Sequence, residues 1–361
     1  AWTLNSSKNF GSKSSNLLLK LINNFEPVTN QMIVDAVLPV FLMMALGFLF
    51  LRLGLLTAEL ATALNRLVYY VALPCLLFHK IGTQDLVWSS VGSVLAAFFL
   101  ALLLTISLAY LTCRWKAVDT TRIGTFVQAS YRGNLGFIGL PIILFSSDQS
   151  TFNNAESLAA ISLAPTAIAF NIIAVFVLTR CRPDQDPSHS RVLSSIATNP
   201  LILAGFLGVV AAISPITLPG FLERSLVGLS QMAIPLALLG LGASFAGFSR
   251  SSMKQGTLLT DSILCATLKT LISPGLGLLC AVFFGLDAVE ARVVMIYLAT
   301  PTAIASFVMV GHLGGDQQLA ATSIVFATLA SVVSLPLSLM ITQPQSWQAI
   351  LGWFDGFMAK I

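Results

Sequence analysis

Charge is scarce in this sequence. Only 9% of its 361 residues are Asp, Glu, Lys or Arg, while 56% are hydrophobic. A soluble domain of this length has no interior large enough to hide that much apolar surface, so a water-soluble globular fold is excluded. Cysteine is sparse and scattered (Cys75, Cys113, Cys181, Cys265, Cys280), with no CxxC or Cys/His spacing, which argues against both a disulfide framework and a zinc site. His79 and His312 lie near the ends of apolar segments and His189 lies between two of them, so no metal set forms. No GxxxxGK[ST] phosphate loop is present, which excludes ATP-driven work by this chain. HExxH is absent, GASFAG only approaches GxSxG, and no two aspartates pair mid-segment, so an intramembrane enzyme is not expected. No cofactor is implied.

What the chain does have is long apolar runs. A bilayer-crossing helix needs about 20 apolar residues, and ten such runs are read: 32–51, 59–79, 86–111, 121–146, 157–180, 197–213, 222–247, 257–284, 289–311 and 317–342. The expected fold class is an all-α polytopic membrane protein. With the N-terminus outside, the inner loops carry Arg52, Arg114, Lys116, Arg122, Arg180, Arg182, Arg191, Arg250 and Lys254, against Lys80, Arg224, Arg292 and Lys360 outside. This asymmetry places both termini on the non-cytoplasmic side, with a bacterial inner (plasma) membrane as the expected location. The basic residues read as topology signals rather than a nucleic-acid surface. Residues 1–31, rich in Ser, Asn and Lys, are expected to form a poorly ordered or interfacial leader. The tail 343–361 is read as an interfacial segment with Trp347, Trp353 and Phe357 at the headgroups.

Prolines recur at one spacing. Pro39 and Pro200, Pro74 and Pro235, and Pro183 and Pro344 are each 161 residues apart, and Pro141 and Pro301 are 160 apart. The chain therefore divides into a first five-helix repeat, 32–180, a short cytoplasmic loop, 181–196, and a second repeat, 197–342. Five is odd, so the second copy runs inverted through the membrane, an architecture of secondary transporters with the site at the midplane. Spans 4 and 9 both read as interrupted helices. GNLGFIGLPI, Gly133 to Ile142, carries three glycines and Pro141, and ATPTAIAS, Ala299 to Ser306, carries Pro301. Loose backbone at membrane depth is tolerated only where protein buries it or a wet cavity receives it. Two breaks can satisfy each other by crossing, leaving half-helix N-termini to face an anion.

RGNLGFIGLPI (Arg132–Ile142), the Asn199-Pro200 pair, PLALLGLGAS (Pro235–Ser244) and ATPTAIASFVM (Ala299–Met309) resemble the auxin efflux carrier family, which includes bacterial malonate-type carriers and plant PIN-formed auxin carriers. The resemblance covers about residues 32–342. It implies ten helices with spans 4 and 9 crossing, and transport of organic carboxylates. Asn134 matches an asparagine that contacts substrate in the plant carriers; Gly133 stands where their pattern has proline. The short loop after Arg180 departs from the long regulatory loop of many plant members.

Inside the membrane, Lys269 stands close to the middle of span 8. Two readings stand: a cation that attracts a carboxylate substrate, and a charge that neutralises the carbonyl ends of the broken helices. Arg132 and Arg292, each nine residues before a proline, are expected near opposite interfaces as gate or anchor charges. No Asp or Glu falls near the centre of a span; Asp261 is a few residues into span 8, and Asp35 and Glu59 are near span ends. A cation-coupling site has no obvious home. The expected site residues are Asn134, Gly133, Gly136, Gly139, Pro141, Lys269, Thr300, Pro301, Thr302 and Ser306. Gln128, Ser130, Asn171 and Ser334 read as inter-helix hydrogen bonders and Gly240 to Ser244 as close helix packing. The expected function is a sodium-independent carrier of auxin-like or dicarboxylate anions. Its partners are a small carboxylate, the bilayer and, as the assembly to test, a second copy of the chain. A sodium-coupled symporter of the bile-acid type and a transporter-like sensor are the alternatives.

Overall fold

The computed structural model describes residues 27–83, 88–146, 154–180, 200–213, 218–246, 256–313 and 315–358. The leader expected before Pro27 and the loop over 181–196, with His189, lie outside these residues, as does the side chain of Phe357. The described chain is helical, and its only β feature is one isolated bridge, Gly133 with Thr302.

In chain order the helices are α1 (Pro27–Arg52), α2 (Ala58–Gly82), α3 (Trp88–Lys116), α4 (Thr120–Tyr131), α5 (Leu135–Ser146) and α6 (Ala155–Arg180). They continue as α7 (Pro200–Ile213) and α8, which runs Gly220–Gln231 and resumes after Met232 as Ala233–Ala246. Then come α9 (Thr257–Phe283), α10 (Ala288–Ala299), α11 (Ile304–Leu313), α12 (Gln317–Ile341) and α13 (Pro344–Met358). Seven of these helices are long and apolar enough to cross a bilayer. Span 4 of the sequence is split into α4 and α5, and span 9 into α10 and α11.

Proline explains where the helices loosen. It lacks an N–H and its ring meets the carbonyl four residues earlier. Five-residue π turns occupy Val68–Ala72, Leu135–Gly139 and Leu268–Ile272, and each ends two residues before a proline: Pro74, Pro141 and Pro274. Widening the ladder by one residue moves the clashing carbonyl aside without ending the helix. Pro141 is therefore absorbed inside α5, and the true interruption of span 4 lies upstream, at Arg132–Asn134. The 160-residue spacing of Pro141 and Pro301 does not relate the two breaks. α4 and α10 are each 12 residues long and begin after an aspartate N-cap, Asp119 and Asp287. Matching them end to end sets Pro301 against Gly133.

The helices pack as two groups. α1 lies along α8 and α2 along α7, while α9 lies against α12, α3 and α10. α1 and α8 touch backbone to backbone: a Cβ at Gly47 would land on Leu239 O, and one at Gly242 on Met44 O. Asn65 of α2 ties into the same seam, donating to Gly240 O at 3.4 Å and Ser244 Oγ at 3.3 Å. The groups meet through α5 and α12 on α1, and through α6 on α2 and α7. Leu38, Leu42, Leu103, Leu111, Phe206, Leu207, Leu329 and Val333 are exposed, whereas Lys269, Arg292, Gln128, Ser130, Thr302 and Ser334 are buried. Apolar side chains outside and polar ones within is the pattern a lipid solvent selects.

One residue of the tail departs from expectation. Trp347 does not sit at a headgroup surface; it is fully buried, and its indole donates to Leu286 O at 2.9 Å. That carbonyl lies between α9 and α10, so α13 is docked through its first turn.

Candidate functional site

The breaks in spans 4 and 9 lie side by side, joined antiparallel at the single bridge of Gly133 with Thr302. Asn134 N–H donates to Pro301 O at 2.8 Å, and Ala303 N–H donates to Arg132 O at 3.0 Å. Buried backbone groups demand partners, so each break supplies what the other lacks.

The end of α10 can be accounted for completely. A helix leaves its last four carbonyls unfilled. Ile296 O accepts from Thr300 N at 3.0 Å and Tyr297 O from Thr300 Oγ1 at 2.7 Å. Leu298 O accepts from Lys269 Nζ at 2.5 Å and Ala299 O from Ser334 Oγ at 3.1 Å. Lys269 thus carries its charge at the negative end of α10, where a cation is stabilised. At the end of α4 a neutral hydroxyl fills one carbonyl: Thr302 Oγ1 donates to Ala129 O at 2.7 Å. The outgoing helix α5 is capped by Asn134, whose Oδ1 accepts from Phe137 N at 3.3 Å. Its carboxamide N–H2 has no hydrogen bond among the described residues.

Gly133 has no room for a side chain. A Cβ there would strike Thr300 Oγ1 and lie 3.0 Å from Lys269 Cε and 3.1 Å from Nζ. Gly139 is closed as well, its Cβ position 2.9 Å from Thr300 Cγ2 and from Tyr297 Cδ1. Gly136 differs, with Leu73 Cδ1 at 3.7 Å and Leu163 Cδ2 at 3.8 Å as its nearest neighbours. The structure therefore gathers Gly133, Asn134, Lys269, Thr300, Pro301 and Thr302 at the paired breaks. Gly139 packs beside them, Gly136 faces α2 and α6, and Pro141 stands apart within α5. Ser306 is in the first turn of α11 with a buried hydroxyl that has no partner.

One arginine is not where the sequence placed it. Arg132 is not an interfacial anchor: it caps the end of α4 at the break and is 8% exposed. Its guanidinium donates to Phe170 O at 3.2 Å, Asn171 Oδ1 at 2.8 Å and Met309 Sδ at 3.0 Å. Measuring from Pro141 put it about 13 Å from the break; the break is at Arg132 itself. Arg292 is fully buried, donating to Ser146 O at 3.3 Å and Thr342 Oγ1 at 3.4 Å, where α5 and α12 end. Sequence reasoning also missed Tyr297, whose hydroxyl donates to Ala159 O at 2.7 Å and pins α10 to α6.

The ion pairs lie away from the breaks. Lys80 meets Glu156, and Arg122 reaches Asp261 at 3.0 Å and Asp316 at 2.8 Å. Among the described residues no carboxylate pairs with Lys269 or Arg132. A charge of one sign held in protein without a counter-charge is costly, and the breaks hold two such cations.

The sequence also resembles known proteins. An uncharacterized transporter of Methanocaldococcus jannaschii is 26% identical over 84% of this chain and 97% of its own length. A protein of Rhizobium meliloti whose name proposes malonate transport is 26% identical over 84% of this chain and 93% of its own. The auxin efflux carrier component 5 of Arabidopsis thaliana is 29% identical over 41% of this chain and 42% of its own. The family described as membrane transport protein matches residues 32–179 and 187–339, and both stretches include one of the breaks. The chain belongs to this membrane transport protein family, the one that holds the auxin efflux carriers.

Proposed function

We propose that this chain is a secondary active or facilitative carrier of organic carboxylate anions, working by alternating access around the paired breaks. The observation that carries the reading is a buried lysine beside two interrupted helices, with no carboxylate paired to it among the described residues. On this reading the chain crosses the membrane ten times, with the 32–180 and 197–342 halves inverted and both termini outside. Substrate binds at Asn134, whose free amide N–H2 donates to a carboxylate, with Lys269, Thr300 and Thr302 around it. Gly136, in ordinary contact with Leu73 of α2 and Leu163 of α6, lines the same site. The names of two relatives, one for malonate and one for auxin, support an organic anion as cargo.

Sodium is not required. A tethered ammonium already stands at the carbonyl end of α10, where a coupling cation would otherwise find its ligands. With an inside-negative potential, exporting one negative charge gains about 2.3 kcal/mol per 100 mV without any coupling ion.

The test is counterflow of mono- and dicarboxylates in proteoliposomes, wild type against Asn134→Ala. Losing one hydrogen bond to a charged group predicts affinity weaker by roughly 10- to 150-fold, with stability in detergent lowered by no more than the lost α5 cap, about 1 kcal/mol. A large drop in melting temperature with the substrate response retained would show that Asn134 is structural and binds nothing.

A further inference from the structure

Arg132 and Lys269 approach the span 4 break from opposite sides. Lys269 Nζ lies 3.1 Å from the Cβ position of Gly133, and Arg132 is the preceding residue. Lys269 spends one of its N–H groups on Leu298 O. Arg132 turns toward α6 and α11, through Phe170 O, Asn171 Oδ1 and Met309 Sδ. Two further polar atoms share that side. Gln128 is one turn before Arg132 on α4 and its Nε2 reaches Met309 Sδ at 3.9 Å, while its Oε1 is buried without a partner. Ser306 is one turn before Met309 on α11, and its Oγ is also buried without a partner. Residues three or four apart share a helix face, so Gln128, Arg132, Met309 and Ser306 converge at one junction.

The charge there does not close on its own. Two helix C-termini, of α4 and α10, and two N-termini, of α5 and α11, meet at the breaks, and their half-charges cancel in pairs. What remains is one ammonium and one guanidinium, with no carboxylate paired to either among the described residues. A monoanion leaves one of these buried charges unbalanced; a dianion neutralises both.

We propose that Arg132 is the second cation of the substrate site and makes the carrier selective for dicarboxylate dianions over monocarboxylates. This rests on the carrier reading above. One carboxylate takes the Lys269 ammonium and the Asn134 amide. The other takes the free edge of the Arg132 guanidinium, with the Ser306 hydroxyl and, after rotation of its amide, Gln128 as neutral donors. Guanidinium suits this role because its planar fork fits a carboxylate and it cannot lose its proton.

The experiment uses the full chain in proteoliposomes, with malonate and succinate as probes against their monomethyl esters, which keep the shape but carry one charge. Wild type is expected to favour the dianion at least roughly tenfold, the effect of one charge-assisted hydrogen bond. Arg132→Gln should weaken dianion affinity roughly 10- to 100-fold, leave the ester nearly unchanged, and so erase the preference. Arg132→Lys, which keeps the charge and loses the fork, should restore only part of it. Equal affinity of wild type for diacid and ester overturns the proposal, as does an equal loss for both probes in Arg132→Gln. Should Arg132→Gln fail to fold, the wild-type comparison and Arg132→Lys still decide. Failure of the carrier reading looks different: no anion, singly or doubly charged, shows counterflow.

Discussion

Replacing Gly133 by alanine tests the geometry of the breaks with one methyl group. The new Cβ would overlap Thr300 Oγ1 and press on Lys269 Cε at 3.0 Å. Neither neighbour can yield freely. Thr300 Oγ1 is bonded to Tyr297 O at 2.7 Å, and Lys269 is bonded to Leu298 O at 2.5 Å. Overpacking of a closed site costs about 1–3 kcal/mol, and displacing Thr300 sacrifices a buried hydrogen bond worth about 1 kcal/mol more. Gly133→Ala should therefore destabilise by about 2–4 kcal/mol. Gly136→Ala, with nothing nearer than 3.7 Å, should be close to neutral. Thr300→Ala removes the obstructing oxygen, so the cycle should be non-additive: in the Thr300→Ala background the added methyl should cost at least about 1 kcal/mol less. The assay is unfolding in detergent, followed by tryptophan fluorescence, for wild type, the two single variants and the double variant. If Gly133→Ala is as stable as Gly136→Ala, or if the cycle is additive within about 0.5 kcal/mol, the breaks do not pack as described.

Lys269→Met keeps the apolar stem and removes the charge. It should leave an inserted, folded protein with impaired carboxylate transport, and wild-type flux at matched expression would show that the lysine has no part in function. Transport by the wild type should generate current without sodium; solid-supported-membrane currents that vanish when choline replaces sodium would reverse that reading. Trp347→Ala should cost about 3–5 kcal/mol, the usual loss for a fully buried tryptophan. It should also free α13, seen as faster hydrogen exchange over 344–358, whereas unaltered exchange there would mean that the helix is held elsewhere.

Much of this protein is written in local composition. Apolar runs separated by charged or Gly/Pro turns define helices for a lipid solvent, because each backbone group must be satisfied within its own helix. The presence of breaks in spans 4 and 9, the place of Asn134 and Lys269 beside them, and the family motifs were legible for the same reason: proline, glycine and a lone charge stand out against an apolar background. The exact position of a break was not legible. A proline ends a helix only if the ladder cannot widen around it, and at Pro74, Pro141 and Pro274 a π turn widens it. The chain instead parts at Arg132–Asn134 because Pro301 O, Ala303 N and Thr302 Oγ1, some 170 residues away in sequence, satisfy the groups it frees there. Arg132 and Trp347 were misplaced for a related reason, which also buries Arg292. Hydropathy reads each as an interfacial residue, but carbonyls at helix ends and turns, Phe170 O, Ser146 O and Leu286 O, draw them inward. Which carbonyls are left open, and which donor reaches them, is decided only when distant helices meet.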